Sequence, residues 1–179
     1  MLKGIICAGF GGQGVLTAGK LLLYAAYKQG KKATWFPSYG SEMRGGSANC
    51  NVVISDNRIA SPYVDHPDIL IAMNDLSLLK FQDTMKPDGV LFVNSSLVPA
   101  EKISRTDVEV FSAPVTEIAI SLKNEKAANI VMLGYVCKKT GLFEGQEFSD
   151  SMCTYFEDAG KGTYNAKNVE AFMAGYNLD

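Results

Sequence analysis

The first 30 residues pass from an apolar run through a glycine cluster to a helical pattern. Leu2 to Ala8 is short and mostly apolar, which predicts a buried strand. Val15 to Gln29 repeats apolar residues at helical spacing, which predicts an amphipathic helix. Four glycines lie between the two elements: Gly9, Gly11, Gly12 and Gly14. A glycine loop between a strand and a helix is typical of backbone amides that point at an anion, at the positive end of the helix dipole.

The rest of the chain alternates short apolar runs with helical patterns. The predicted strands after the first are 32–36, 47–55, 69–73, 90–93 and 109–112. The further predicted helices are 74–85, 114–122, 125–140, 148–159 and 165–176. Asn74 or Asp75 is expected to cap the first of these, and Gly141 is expected to end the helix 125–140. This alternation predicts one α/β domain over residues 1–179, with a Rossmann-like, mostly parallel sheet between two helical layers, a three-layer α/β/α arrangement.

One strand pattern departs from this parallel scheme. Ser47 to Ser55 places apolar residues at every second position and polar residues between them. That period of two predicts a half-exposed, antiparallel strand, so the sheet is expected to be mixed. Asp56 and Asn57 then predict a turn, after which Arg58 to Ala60 is expected to return as a hairpin partner.

Composition narrows the range of functions. The net charge of −2 argues against a general nucleic-acid binder, which needs clustered lysines and arginines. We expect no membrane partner and a cytoplasmic location, because the sequence has neither a signal-peptide pattern nor an apolar run of membrane-spanning length. The four cysteines form no Cys-x-x-Cys pair, so we expect no metal site, cluster or disulfide framework in this chain, and buried thiols at Cys7 and Cys50.

Gly9, Gly11 and Gly14 fit the dinucleotide fingerprint G-x-G-x-x-G. However, the predicted strand 32–36 is not followed by the acidic residue that holds a ribose, and Gly14 is not followed by the lysine of a phosphate-binding P-loop. We therefore expect an anion-binding loop that is not an ordinary NAD site. The alternative is a tight turn that binds nothing.

Two motifs in order carry a family resemblance. Gly9 to Gly14 reads Gly-Phe-Gly-Gly-Gln-Gly, and residues 35–46 read Trp-Phe-Pro-Ser-Tyr-Gly-Ser-Glu-Met-Arg-Gly-Gly. Together with Asn129 to Gly134, they resemble the gamma subunit of 2-oxoacid:ferredoxin oxidoreductases over nearly the whole chain. The form of the second motif resembles the 2-oxoglutarate type. Gamma chains of pyruvate, branched-chain and indolepyruvate oxidoreductases are the alternatives.

The resemblance implies a fold like the third domain of pyruvate:ferredoxin oxidoreductase and a division of labour. In this family, a 2-oxoacid is decarboxylated on thiamine diphosphate, electrons pass through iron–sulfur clusters to ferredoxin, and the acyl group passes to coenzyme A. Thiamine diphosphate, magnesium and the clusters belong to alpha, beta and ferredoxin-like delta subunits. The gamma subunit is associated with coenzyme A and is not active alone, so we expect no catalytic residue in this chain.

The candidate cofactor-binding residues form three groups. The first is the glycine loop with the helix that follows it: Gly9, Gly11, Gly12, Gln13, Gly14 and Thr17. The second is Ser38 and Tyr39, expected at the carboxyl end of the second strand, where turn chemistry is the alternative. The third is Arg44, whose alternative is a surface pair with Glu42.

The same loop is compatible with two other functions. A free nucleotide-binding regulatory module needs no thiamine partner, and a stand-alone NAD oxidoreductase needs the acidic residue that is missing after the second strand. We expect His66 to be structural and Lys20 to lie on a solvated helix face. Asn129 is expected either to face a ligand or to satisfy backbone groups.

Overall fold

The computed structural model describes residues 1–39 and 47–179, and for Tyr39 it describes the backbone alone. Arg44 and Glu42 therefore lie outside the described residues. The strands are β1 Leu2–Phe10, β2 Lys32–Tyr39, β3 Ser47–Ser55, β4 Ile69–Ala72, β5 Val90–Asn94 and β6 Glu109–Ala113. The α-helices are α1 Val15–Lys28, α2 Asp75–Phe81, α3 Val115–Ser121, α4 Ala128–Thr140, α5 Gly145–Asp158 and α6 Asn165–Tyr176.

The six described strands form one sheet in the order β2-β3-β1-β4-β5-β6. β1, β4, β5 and β6 are parallel neighbours. β3 runs antiparallel to both β1 and β2, so β2 points in the same direction as β1. The predicted mixed, mostly parallel sheet is therefore confirmed, with β3 as its reversed strand.

The two faces of the sheet are covered unequally. The larger core joins one face to α1, α3, α4, α5 and α6, with Ile5, Ile71 and Phe92 among the buried sheet residues. The smaller core joins Ile6, Leu70 and other residues of the opposite face to α2 and its neighbouring 3-10 turns. The predicted α/β/α layering is therefore present, but one outer layer is thin.

The second predicted strand continues three residues further, through Pro37 and Ser38 to Tyr39. The predicted strand ends before Pro37, and proline donates no ladder hydrogen bond. β2 is an edge strand whose one neighbour is β3. An edge strand tolerates proline because one of its sides takes no part in the ladder.

The structure corrects two expectations for β3. The strand is nearly all buried rather than half-exposed, including the polar residues Asn49 and Ser55. β3 lies between β1 and β2, and Asn49 and Asn51 on its polar face line a groove together with Tyr63 of the following connection. The predicted hairpin partner Arg58 to Ala60 is not a strand. Both sides of β3 are already paired, so no edge is left for it.

The helix ends follow local capping chemistry. Asn74 caps α2 as predicted, because its Oδ1 accepts from the Ser77 amide at 2.8 Å. Gly141 ends α4 with the left-handed φ of 60° that favours glycine at this position. α5 begins three residues earlier than expected, at Gly145, because the Glu144 carboxylate accepts from the Glu147 amide at 3.0 Å and so caps the helix.

Candidate functional site

The sheet has a topological switch point between β1 and β4. The two strands are parallel neighbours, yet α1 follows β1 on one face of the sheet and α2 follows β4 on the other. Such a reversal opens a crevice at the carboxyl ends of the strands, where open α/β sheets bind their ligands. The glycine loop, residues 10–14, lies at this position because it connects β1 to α1.

Two glycines of the loop adopt backbone conformations that other residues rarely adopt. Gly12 has φ 102° and Gly14 has φ 70°. Gly9 is required for a different reason, because a Cβ there would lie 2.6 Å from Gln13 Oε1 and 2.9 Å from Val15 Cγ1. By contrast, no atom of the described residues lies within 4 Å of the Cβ position of Gly12. The loop is therefore closely packed at Gly9 and open at Gly12.

The loop presents uncommitted backbone donors. Gly11 and Gly12 are exposed, and within the described residues neither amide donates a backbone hydrogen bond. Gly14 is the N-cap of α1 and, having no side chain, leaves the first amides of the helix uncapped. The first intrahelical hydrogen bond runs from Ala18 N to Gly14 O at 2.9 Å. This geometry suits an anionic group, because free amides and the helix dipole both favour negative charge.

Two asparagines beside the loop carry buried acceptors without partners. Asn129, at the start of α4, donates from Nδ2 to Gly14 O at 2.9 Å. Asn94, at the end of β5, donates from Nδ2 to Met73 O at 3.1 Å and to Thr116 Oγ1 at 2.9 Å. Within the described chain, the Oδ1 atoms of both asparagines are buried without a hydrogen-bond partner. Each can accept a hydrogen bond from a ligand N–H, from an O–H or from water.

Sequence reasoning missed Asn94. The available signal was positional, because β4 and β5 are each followed or ended by an asparagine at the carboxyl edge, Asn74 and Asn94. Asn74 was recognised for its capping pattern. Asn94 begins no regular helix, so no capping pattern marked it.

Gln13 bonds to the protein itself. Its Oε1 accepts from the Phe10 amide at 2.6 Å and from Asn74 Nδ2 at 3.2 Å, and its Nε2 donates to Met73 O at 3.1 Å. Thr17 lies one turn into α1 and is partly exposed. Lys20, further along α1, lies over the ring of Trp35 with Nζ 4.8 Å from the centroid.

The second candidate group reaches the same edge of the sheet. Tyr39 is paired with Ala48, and Ala48 with Gly9, so the Tyr39 backbone lies in register with the start of the glycine loop. The Ser38 side chain is exposed and lines a groove on the thinly covered face of the sheet, with a volume of about 310 Å³. Ser38 therefore faces a different space from the loop amides, although both lie near the carboxyl edge.

The remaining sequence expectations concern buried thiols and His66. Cys7 and Cys50 are buried, as predicted, and they lie opposite each other across β1 and β3. His66 Nδ1 donates to Thr84 O at 2.9 Å, which is consistent with a structural role. In residues 1–39 and 47–179, no three His, Cys, Asp or Glu side chains come together as metal ligands. Among the described helices, none is long and apolar enough to span a membrane.

The whole α/β architecture is found in solved structures. The gamma subunit of a keto/oxoacid ferredoxin oxidoreductase from Geobacter sulfurreducens superposes with a TM-score of 0.81 at 29% identity, covering 97% of this chain and 96% of that one. A 2-oxoglutarate:ferredoxin oxidoreductase from Magnetococcus marinus, described with 2-oxoglutarate, coenzyme A and succinyl-CoA bound, gives a TM-score of 0.85 at 24% identity, covering 98% of this chain and 30% of that one. The class is thus an α/β domain of the oxoacid oxidoreductase gamma type.

The family follows from the sequence comparisons. Residues 4–178 match the family described as pyruvate ferredoxin/flavodoxin oxidoreductase, and this chain belongs to that family. It is 38% identical over 180 residues to the 2-oxoglutarate synthase subunit KorC of Methanocaldococcus jannaschii, covering 99% of this chain and 94% of KorC. It is 40% identical over 168 residues to the ketoisovalerate oxidoreductase subunit VorA of Methanothermobacter thermautotrophicus, covering 94% of this chain. The chain spans about a third of the length of VorA, 34%.

Proposed function

We propose that this chain is the gamma component of a 2-oxoacid:ferredoxin oxidoreductase and that it binds coenzyme A for a reaction carried out in partner subunits. One observation carries the proposal: just before α1, the exposed amides of Gly11 and Gly12 donate no hydrogen bond to any described residue. A pyrophosphate fits this set of donors. The similarity to KorC and VorA, subunits of oxidoreductases that act on 2-oxoacids, supports the reaction class.

The residues present fit coenzyme A in a second respect. Its adenine and pantetheine parts carry N–H groups, and the buried Oδ1 atoms of Asn94 and Asn129 are acceptors without partners in the described chain. Unpaired buried acceptors are costly, so donors from a ligand would stabilise this edge of the sheet. Thr17, Tyr39 and Arg44 are the further proposed contacts, whereas Ser38, which faces a different space from the loop amides, is not among them.

The contribution of this chain to turnover is positioning. Coenzyme A supplies the thiol that accepts the acyl group. The loop amides hold the anionic end of the molecule, and the asparagines fix its orientation, so that the thiol end extends toward the partner subunit. Holding a reactant in this way removes much of the entropic barrier to its reaction without changing the chemistry.

We propose 2-oxoglutarate as the 2-oxoacid, with 2-oxoisovalerate, pyruvate and indolepyruvate as the alternatives. The similarity to KorC over 94% of that subunit supports the first choice. We further propose that alpha and beta subunits bind thiamine diphosphate and magnesium, and that a ferredoxin-like delta subunit carries iron–sulfur clusters that reduce ferredoxin in the cytoplasm.

The test uses the complex isolated from the host through a tag on this chain. We expect thiamine-binding and cluster-binding subunits to co-purify, and we expect oxidation of one 2-oxoacid from the panel to depend on coenzyme A. The variant Gly12→Val should raise the coenzyme A KM by about tenfold or more, because a branched side chain obstructs the loop amides that account for more than ~1.4 kcal/mol of binding.

Gly30→Val is the matched control. Gly30 also has a left-handed φ, 72°, and open space at its Cβ position, but it lies at the far end of α1. It should reproduce the backbone strain of Gly12→Val without changing the coenzyme A KM. A complex with Gly12→Val that assembles and keeps its coenzyme A response would place the ligand elsewhere. NADH binding or activity of the chain alone would contradict the division of labour.

A further inference from the structure

The side chain of Gln13 fills the interior of the loop. Its Oε1 accepts from Phe10 N at 2.6 Å, which closes residues 10–13 into a ring, and from Asn74 Nδ2 at 3.2 Å. Its Nε2 donates to Met73 O at 3.1 Å. The amide therefore joins the end of β1 to the end of β4 across the switch point.

The surroundings of Gln13 are built to hold this arrangement. Gly9 leaves the space that the amide occupies, since a Cβ there would lie 2.6 Å from Gln13 Oε1. Asn74 is fixed on its other side because its Oδ1 caps α2 through the Ser77 amide at 2.8 Å. Met73 O is fixed as well, because it also accepts from Asn94 Nδ2 at 3.1 Å.

We propose that Gln13 is a positioning residue, which braces the loop so that the amides of Gly11 and Gly12 converge on the same anionic group. This inference rests on the proposed function and deepens it. A loop with glycines at 11, 12 and 14 has unusual backbone freedom, and ordering it upon binding would weaken affinity. Three side-chain hydrogen bonds from one residue remove much of that freedom before the ligand arrives.

A positioning residue and a residue that contacts the ligand affect different properties of the loop. A contact residue alters affinity and leaves the free loop unchanged. A positioning residue alters the free loop first, and the loss of affinity follows. Two measurements on the same complex therefore separate the roles: hydrogen–deuterium exchange of the loop peptide without coenzyme A, and the coenzyme A dissociation constant by calorimetry.

The principal variant is Gln13→Met, which keeps the length of the side chain and loses all three hydrogen bonds. Gln13→Glu is the second variant, because its carboxylate keeps the acceptors for Phe10 N and Asn74 Nδ2 but cannot donate to Met73 O. Gln29→Met is the matched control, since Gln29 lies at the other end of α1 and bonds to the exposed Glu147.

We expect Gln13→Met to accelerate exchange in residues 10–14 and to weaken coenzyme A binding by about fivefold or more, the size of one lost hydrogen bond. Gln13→Glu should accelerate loop exchange less than Gln13→Met, because it keeps two of the three hydrogen bonds, but its negative charge beside the anionic group should also weaken coenzyme A binding. Gln29→Met should show no effect in either measurement.

The inference is overturned if Gln13→Met weakens binding while loop exchange stays as in the wild type, because Gln13 then contacts the ligand. It is also overturned if exchange accelerates and affinity is unchanged, or if both Gln13 variants behave as the wild type while Gly12→Val loses affinity. If Gly12→Val also binds normally, the proposed function fails and this inference fails with it.

Discussion

Cys7 and Cys50 sit directly opposite each other in the β1–β3 ladder, and both are fully buried at 0% exposure. Cys50 Sγ lies 3.4 Å from Val15 O, at the start of α1. The neighbouring Cys50 thiol and burial raise the pKa of Cys7, whereas the neighbouring Cys7 thiol lowers the pKa of Cys50. The pair is therefore part of the packing between the sheet and α1, and burial rather than ionisation governs its reactivity.

The thiols should report this burial directly. In the native chain near neutral pH, we expect a disulfide reagent such as Ellman's reagent to titrate at most one of the four cysteines, Cys153, which is the one that is partly exposed. Its reaction should be slow because burial, Glu157 and Asp150 raise the pKa of this thiol. All four should react in urea. Cys153→Ser should abolish the native signal, and a second reactive thiol in the native state would contradict the packing.

Arg105 and Asp107 form a bidentate ion pair, with distances of 2.6 and 2.9 Å. The same guanidinium donates to Gln82 O at 2.6 Å and Met85 O at 3.1 Å, so the pair fixes the segment before β6 against the end of the α2 region. The hydrogen bond from Arg105 lowers the pKa of Asp107. A carboxyl group whose pKa is lowered on folding stabilises the fold above its unfolded pKa, and this stability is lost as the pH falls through the folded pKa.

Asp107→Asn should therefore lower the melting temperature in a pH-dependent way. The difference from the wild type is expected to be largest near neutral pH and to shrink below about pH 4, where aspartate becomes protonated in the unfolded chain and then in the folded one. Circular dichroism melts across this range measure it. Asp65→Asn is the control, because this exposed residue makes no ion pair within the described residues. A constant difference at all pH values would contradict the role of the charge.

At the scale of elements, α4 and α6 cross at two reciprocal glycines. A Cβ on Gly134 of α4 would overlap the carbonyl oxygen of Phe172, and a Cβ on Gly175 of α6 would overlap that of Val131. The backbones thus touch without side chains between them. Glycine in a helix interior costs up to about 1 kcal/mol, so its presence in both helices follows from the contact rather than from helix propensity.

Gly134→Ala should destabilise the fold even though alanine is the better helix former. We expect a loss of about 1–3 kcal/mol in the free energy of unfolding, because the helices must separate to admit the methyl group. Urea unfolding measures the change. Gly162→Ala is the control, since its Cβ would lie 2.8 Å from Cγ of the exposed Glu157 side chain and no closer than 3.6 Å to a backbone atom, so a rotation of that side chain admits the methyl group. Equal stability of the two variants would show that the crossing is not tight.

The elements differ in how far the sequence predicts them. Existence and type were predicted for each strand and helix because apolar periodicity reflects burial, and the caps at Asn74 and Gly141 were predicted from local hydrogen-bonding chemistry. The burial of β3 was not predicted, because it depends on which strands flank β3 in the sheet. The Arg58–Ala60 hairpin was wrong for the same reason. Pairing is a property of the sheet, which no local pattern encodes.

The candidate site also combines features that a local pattern predicts with features that depend on the fold. The glycine loop was predictable because a strand, a glycine cluster and a helix in sequence fix its geometry locally. Asn94 and Asn129 come from β5 and α4 and meet the loop only through the fold. The role of Gln13 also depends on this convergence, since two of its partners, Met73 and Asn74, lie 60 and 61 residues away along the chain.

At the scale of the molecule, one core connects the first strand to the last helix. It runs from Ile5 in β1 through α1 and α4 to Phe172 in α6. Trp35, the single tryptophan of the chain, packs against this core at the sheet edge, where a Cβ on Gly19 of α1 would lie 2.9 Å from its ring. Its fluorescence therefore reports the side of the sheet farthest from β6, whereas far-ultraviolet circular dichroism reports the helices together.

If residues 1–179 form one cooperative domain, these two signals should give superimposable urea unfolding curves, because two-state unfolding leaves no state in which one part is folded without the other. Gly134→Ala makes the test stricter. It acts at the α4–α6 crossing, in different elements from Trp35, yet it should shift the fluorescence midpoint and the dichroism midpoint by the same amount. A shift in dichroism alone would mean that the β1–β3 part unfolds separately, and the glycine loop would then lie at the boundary between two units rather than inside one.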